Sequence, residues 1–242
     1  MSEKEELIVT RETVYSRTEQ VIGKAGLERL KRAHVAVIGV GGVGGYAVEA
    51  LARAGVGELT LLDSDRVAPS NINRQIIATH TTLGMLKVEA AMQRIVDINP
   101  EIKVNTLPIF YSKDTKELDL SEFDYIIDAI DSVESKVHLI TEAKRLGVRI
   151  ISAMGAGRKL DPTRFCVADI SKTSVDPLAR AVRVRLRKCG IDHVKVVYSD
   201  EPPTDPVGDA PGSISFVPSV MGLILAGEVI KELAFGGDKD DK

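Results

Sequence analysis

The residues with the clearest chemical potential begin at Gly39-Val40-Gly41-Gly42-Val43-Gly44, a Gly-x-Gly-x-x-Gly loop. Glycines at this spacing let a backbone close on phosphate oxygens at the start of a helix, where unpaired N–H groups and the helix dipole favour an anion. Asp63 stands about 20 residues further on, the place from which a carboxylate reaches a ribose hydroxyl. Asp65, Asn71, Arg74 and Lys87 follow within a short stretch. The glycine loop and Asp63 by themselves suit a nicotinamide dinucleotide as well as a nucleoside triphosphate. The polar set after them separates the two: hydride transfer has no need of it, whereas phosphoryl or nucleotidyl transfer must meet charge that develops on phosphate oxygens. Arg74 offers a bidentate fork for phosphate and Lys87 a point charge.

Asp131 follows the run Tyr125–Ile130, at the expected carboxyl edge of a sheet. A carboxylate there can hold Mg²⁺ bridging phosphates, or it can cap the helix that begins near Val133; residue type alone leaves both open. Asp128, inside the run, is expected to be structural.

These groups need a scaffold, and the hydrophobic pattern supplies one. His34–Ile38 reads as a buried strand, Gly44–Ala54 as the helix after it and Leu59–Asp63 as the next strand, a βαβ unit. Lys87–Asn99, Ser135–Leu146 and Pro177–Lys188 read as helices, and Lys103–Pro108, Phe123–Ala129, Val148–Ser152, Arg164–Asp169 and Val194–Tyr198 as strands. A helix or helix pair over Thr18–Arg32 leads in, weakened by Gly23 and Gly26. The alternation predicts an α/β fold, a doubly wound, mostly parallel Rossmann-like sheet with a C-terminal strand-helix elaboration. Residues 1–33 form an expected helical arm, 34–158 the nucleotide-binding core, 159–235 the elaboration of the same domain and 236–242 a disordered tail. The loop Asp200–Gly212 is rich in proline and expected to be irregular.

Composition narrows the class. A chain of 242 residues with 44% hydrophobic content fills a globular core, and a net charge of -3 argues against a surface coated for nucleic acid. A local basic face is still possible: Arg180, Arg183 and Arg187 fall at i, i+3 and i+7, with Arg185 and Lys188 nearby, which suits either phosphate tracking or a solvated helix. The two cysteines cannot build a four-thiolate zinc site, and a reducing cytoplasm fits them. Cys166 alternates with apolar residues and is expected in the core; Cys189 is a candidate persulfide or thioester site or an inert thiol. His34, His80, His138 and His193 show no ligand spacing. The acidic N-terminus predicts no secretory signal, and Val217–Leu233, interrupted by Glu228 and Lys231, predicts a buried helix rather than a membrane span.

Taken in order, Arg17 in Tyr15–Arg17, the glycine loop, Leu61–Asp65, Ser70–Gln75, Gly84–Glu89 and Asp128–Ser132 resemble the adenylation core of the ubiquitin-activating-enzyme-like superfamily. The resemblance covers almost the whole chain. It implies attack of a carboxylate on the α-phosphate of ATP, with Mg²⁺, to give an acyl-adenylate and pyrophosphate. It also implies catalytic roles for Asn71, Arg17, Arg74 and Lys87, magnesium binding by Asp131, and a homodimer in which Arg17 reaches the neighbouring subunit's site. Activators of ubiquitin-like sulfur carriers usually carry paired Cys-x-x-Cys zinc ligands, which this chain lacks. The runs Asp128–Lys136, Gly155–Thr163 and Ala168–Leu178 are instead similar to the tRNA threonylcarbamoyladenosine dehydratases. That similarity implies a tRNA substrate whose threonyl carboxylate is adenylated and then attacked by the neighbouring carbamoyl group, with no obligatory thioester cysteine. Val197–Ser213 departs from their pattern in being short and without a cysteine. Activation of a ubiquitin-like carrier, with a sulfurtransferase partner, and an NAD-binding redox enzyme or nucleotide sensor are the alternatives.

Overall fold

In the computed structural model, which describes residues 13–205 and 212–236, seven strands form one sheet in the order β3-β2-β1-β4-β5-β7-β6. The strands are β1 (His34–Ile38), β2 (Glu58–Leu62), β3 (Lys103–Leu107), β4 (Tyr125–Asp128), β5 (Arg149–Ala153), β6 (Phe165–Asp169) and β7 (Lys195–Ser199). All pair in parallel except β6, which runs antiparallel to β7 at the edge. The helices are α1 (Ser16–Arg32), α2 (Gly44–Ala54), α3 (Lys87–Ile98), α4 (Val133–Leu146), α5 (Pro177–Lys188) and α6 (Phe216–Phe235). The expected tail beyond residue 236 and part of the proline-rich loop lie outside the described residues.

The continuous apolar runs of β1 and β4 follow from cover on both faces. Val35 and Val37 point into a core built with Leu51 of α2, Ile95 of α3 and Leu225 of α6. Ala36 and Ile38 point the other way, into a core with Leu139 of α4 and Val182 of α5. The lead-in element is two helical pieces merged across Gly23, whose φ of 73° breaks the regular spiral. The last helix, α6, is apolar nearly all round because it is buried between α1, α2 and the sheet. Its Gly222 permits a close crossing: a Cβ there would collide with the carbonyl oxygen of Val43, at the start of α2.

Chain order reverses between β1 and β4, so their carboxyl ends open a crevice with no crossover helix above it, the usual ligand position of this architecture. Register puts Ile38 beside Asp128. Asp128 is fully buried and paired with Lys136 of α4, also fully buried, at 2.8 Å. Ser152 of β5 donates to the same carboxylate oxygen at 2.5 Å, and the other oxygen accepts the Ile130 N–H at 3.1 Å. Burial pushes the Lys136 ammonium below its usual pKa against the opposing pull of Asp128.

Breaking a dry ion pair strands one charge, at a cost of about 3–5 kcal/mol. Lys136→Met is therefore expected to lower the free energy of unfolding by that much, seen in urea as a lower midpoint with an unchanged slope; a native midpoint would show that the pair bears no load.

Candidate nucleotide-binding and active site

The glycine loop leaves β1 and enters α2 at the crevice. Gly39 has φ of 92°, and a Cβ there would stand 2.7 Å from the carbonyl oxygen of Ala129, in the turn after β4. A Cβ on Gly44 would collide with the Gly39 carbonyl. Folding alone therefore demands these two glycines. Gly41 is different, since a Cβ there would meet nothing nearer than the Gln75 Nε2 at 3.7 Å. Its missing side chain leaves the cavity wall open to a ligand rather than relieving a clash. Among the described residues no side chain caps the N-terminus of α2; the Gly45 N–H turns back to the Gly41 carbonyl at 2.9 Å, and the rest of the first turn offers its N–H groups to an anion.

Asp63 binds the loop to the end of β2: one oxygen accepts the Val40 N–H at 2.8 Å and the other the Asp65 N–H at 2.9 Å. Lys87 opens α3, is only 6% exposed, and sets its ammonium 2.6 Å from Asp65 and 3.8 Å from Asp63. Asn71 closes the 3-10 turn Pro69–Asn71 by accepting the Ala68 N–H through Oδ1 at 3.0 Å. Arg74 donates to the Ser70 carbonyl at 2.8 Å and to Asn73 Oδ1 at 2.9 Å, with no carboxylate partner among the described residues. Gly39, Gly41, Gly42, Asp63, Asp65, Asn71, Arg74, Lys87 and Asp131 all line one cavity of about 810 Å³.

Two readings of Asp131 were open, and the helix start removes the cap. Ser132 is the N-cap of α4, its hydroxyl accepting the Ser135 N–H at 3.4 Å. The exposed Asp131 carboxylate takes no hydrogen bond or ion pair from the described residues, although it faces the cavity. One free carboxylate beside a phosphate cradle is the donor set Mg²⁺ needs, because that ion takes one or two carboxylates plus phosphate oxygens and water. A protein-only metal cage is not formed: no group of three or more His, Cys, Asp or Glu side chains is placed to hold a metal among the described residues. Arg17 stands apart, exposed on α1 and outside the wall of the cavity.

The other half of the wall comes from the segment after β5 and from the start of α5, including Gly155, Arg158, Lys159 and Pro177. Two polar residues here were not anticipated. Asp176 caps α5 by accepting the Ala179 N–H at 3.0 Å and also accepts the Gly155 N–H at 2.8 Å, so one carboxylate ties the β5 loop to the helix. The dipeptide Asp176-Pro177, a cap residue before proline at the first helical position, was its signal. Lys159 is 4% exposed and donates to the Glu201 carbonyl at 2.6 Å; burial lowers its pKa against the opposing effects of Asp176 and Glu201. Nothing in the local sequence marks it, because a distant loop buries it.

Two expectations need correction. Arg180, Arg183 and Arg187 do not form one free cationic face. Arg183 turns inward and donates to the Thr173 carbonyl at 2.9 Å and to the Thr173 hydroxyl, and Arg187 faces Asp192 at 3.7 Å. Cys166 is exposed rather than core, since β6 is an edge strand whose outer side no helix covers. Cys189 is exposed at the far end of α5, and neither cysteine lines the cavity.

The ThiF family model matches residues 15–240 of the chain. The chain is 48% identical over 238 residues to the tRNA threonylcarbamoyladenosine dehydratase of Bacillus subtilis (strain 168), covering 90% of this chain and 94% of that one. With the Haemophilus influenzae protein of the same name the identity is 49% over 163 residues, 67% of this chain and 62% of the other. Among solved structures, Escherichia coli tRNA N6-threonylcarbamoyladenosine dehydratase in complex with ATP superposes with a TM-score of 0.84 at 35% identity, covering 90% of this chain and 93% of that one. The same protein in complex with AMP gives 0.83 at 36%. On sequence and on fold, the chain belongs to the ThiF family.

Proposed function

We propose that the chain is an ATP- and Mg²⁺-dependent homodimeric enzyme that adenylates the threonyl carboxylate of threonylcarbamoyladenosine in tRNA and so allows its cyclisation. The observation that carries this reading is the cavity itself: an uncapped glycine loop, the cations Arg74 and Lys87, and the unpartnered carboxylate of Asp131 share one wall. The names of the Bacillus and Haemophilus relatives, and the ATP and AMP complexes of the E. coli protein, support the substrate. Activation of a ubiquitin-like carrier through a thioester draws no support from Cys166 or Cys189, which both lie away from the cavity. Two free thiols fit a reducing cytoplasm.

In this reading Gly41, Gly42 and the start of α2 receive the phosphates, and Asp63 reaches the ribose. Arg74 and Lys87 draw charge off the α-phosphate as the substrate carboxylate attacks it and pyrophosphate departs. Asn71 orients the phosphate chain through the amide nitrogen that its turn leaves unused. Mg²⁺ on Asp131 would neutralise phosphate charge. The carbamoyl group then attacks the acyl carbon, forming the ring, and AMP leaves with the carboxylate oxygen, so that the net change in the nucleoside is loss of water. Arg17 serves the cavity of a second copy.

Incubating tRNA that carries threonylcarbamoyladenosine with ATP, Mg²⁺ and the protein is expected to yield a nucleoside lighter by one water in mass spectrometry, and an unchanged mass would refute the reaction. Lys87→Ala and Asp131→Ala should each cut this turnover by about 10²-fold or more, as losses of preorganised charge do, with thermal midpoints near native. Activity retained by either would remove that residue from the site. If Arg17 works across a twofold dimer, mixing and re-equilibrating Arg17→Ala and Lys87→Ala subunits should restore roughly a quarter of native turnover, because half the dimers then hold one intact site. A mixture as inactive as its parents would place Arg17 in its own subunit's chemistry, and native turnover by Arg17→Ala alone would remove it from the reaction.

A further inference from the structure

A second hollow, of about 460 Å³, runs along the outer face of α5. Pro177, Ala181, Val184 and Lys188 follow one another at four-, three- and four-residue steps, so they form a single stripe on the helix surface. Val184 is 48% exposed, and Val175, just before the helix, 53%. Arg180 flanks the stripe on one side and Arg185 on the other, with Lys188 at its end. No carboxylate lines the hollow, and these three cations have no ion-pair partner among the described residues. The buried side of the same helix is Ala179, Val182 and Leu186, which explains why Arg183 turned inward while these cations stayed outside.

The hollow adjoins the main cavity, with Pro177 in the wall of both. Val175 makes the junction. It adopts φ of 63°, a left-handed conformation that a β-branched residue takes only under strain, and the Asp176 N–H closes the turn on the Ser174 carbonyl at 2.6 Å. This turn sends Asp176 inward to Gly155 and leaves Val175 outside on the hollow. Strain of this kind persists where the surrounding structure uses the geometry it enforces.

We infer that this face of α5 is the track along which an RNA strand leaves the catalytic cavity. The inference rests on the reading that the substrate nucleoside is part of tRNA: a nucleoside bound in the cavity drags its own chain out with it, and beyond Pro177 that chain meets three cations without an ion-pair partner among the described residues. Phosphates lie on Arg180, Arg185 and Lys188, and sugar and base faces cover Val175, Ala181 and Val184. The helix spans roughly 18 Å, enough for a few nucleotides. With no aromatic side chain in its lining, the track holds RNA by charge and apolar cover rather than by stacking, so it carries the strand without reading its sequence.

The test is fluorescence anisotropy with an anticodon stem-loop RNA bearing threonylcarbamoyladenosine, titrated across a salt series against the native protein and the triple variant Arg180→Gln/Arg185→Gln/Lys188→Gln. Each lost phosphate contact removes about 0.7 from the slope of log K against log salt, so the triple variant should lose about two units of slope, on the order of 100-fold in affinity at ~0.1 M salt. Val184→Asp, a change at an exposed position, should weaken binding with the fold intact. ATP binding followed by calorimetry should be native in both variants. Native RNA affinity and slope in the triple variant would overturn the track and return the face to a protein partner. RNA bound along the track without any dehydration would refute the proposed reaction and leave the track standing, whereas no RNA binding by the native protein would overturn both.

Discussion

The buried carboxylate of Asp128 is where the two sides of the crevice are joined. It holds Lys136 and Ser152 behind the sheet and the Ile130 N–H in front of it, so the turn that presents Asp131 hangs from a charge with no freedom to move. Its strand neighbour is Ile38, and the carbonyl of the next residue, Ala129, presses on Gly39. The distance between the phosphate cradle and the free carboxylate is thereby set by strand register rather than by loops. A site that must stabilise charge at the moment it develops gains from this, because donors that need not reorganise lose less free energy in reaching the transition state. Desolvating the pair is costly, and the network of hydrogen bonds around it offsets that cost.

The protein's own carboxylates hold one of the two cations of the wall. Lys87 sits between Asp65 and Asp63, and Asp63 also fastens the glycine loop through Val40. An incoming phosphate must therefore compete for an ammonium that already has a partner. Asp65 is largely exposed, so its hold on Lys87 is screened by water and gives way at small cost, while the mostly buried Asp63 keeps the loop in place. Arg74, held only by a carbonyl and an amide oxygen, is the freer cation of the two.

Much of this was readable in the sequence, and the reasons differ by element. The strands β1 and β2 and the glycine loop between them were legible because burial on both faces writes a continuous apolar run and because only glycine fits beside Ala129. The limits of α5 were legible from Asp176-Pro177 at one end, but its orientation was not. Periodicity groups Arg180, Arg183 and Arg187 on a common face, whereas packing against α4 and the Ile170–Lys172 turn decides which part of that face is covered. Cys166 was misjudged for a similar reason, since alternation in a strand shows that its two sides differ and not which one meets solvent. Between Asp131 and Ser132 both residue types can cap a helix, and the choice came from the Asp128–Ile130 bond that fixes where α4 begins. Lys159 left no local trace because the segment that buries it is remote in the chain.

The close crossing of α6 over α2 has a consequence for how the molecule is made. The first turn of α2 carries the phosphate-binding loop, yet the apolar surface beside it is closed by a helix that follows all seven strands of the sheet in the chain. During synthesis the strands on either side of the crevice can pair while that surface stays open to water. The β1–β4 pairing itself joins segments far apart in sequence, and such contacts form slowly. The nascent chain thus passes through a stage in which the nucleotide site is outlined but its back is bare, an aggregation hazard that ends only when Gly222 seats against Val43.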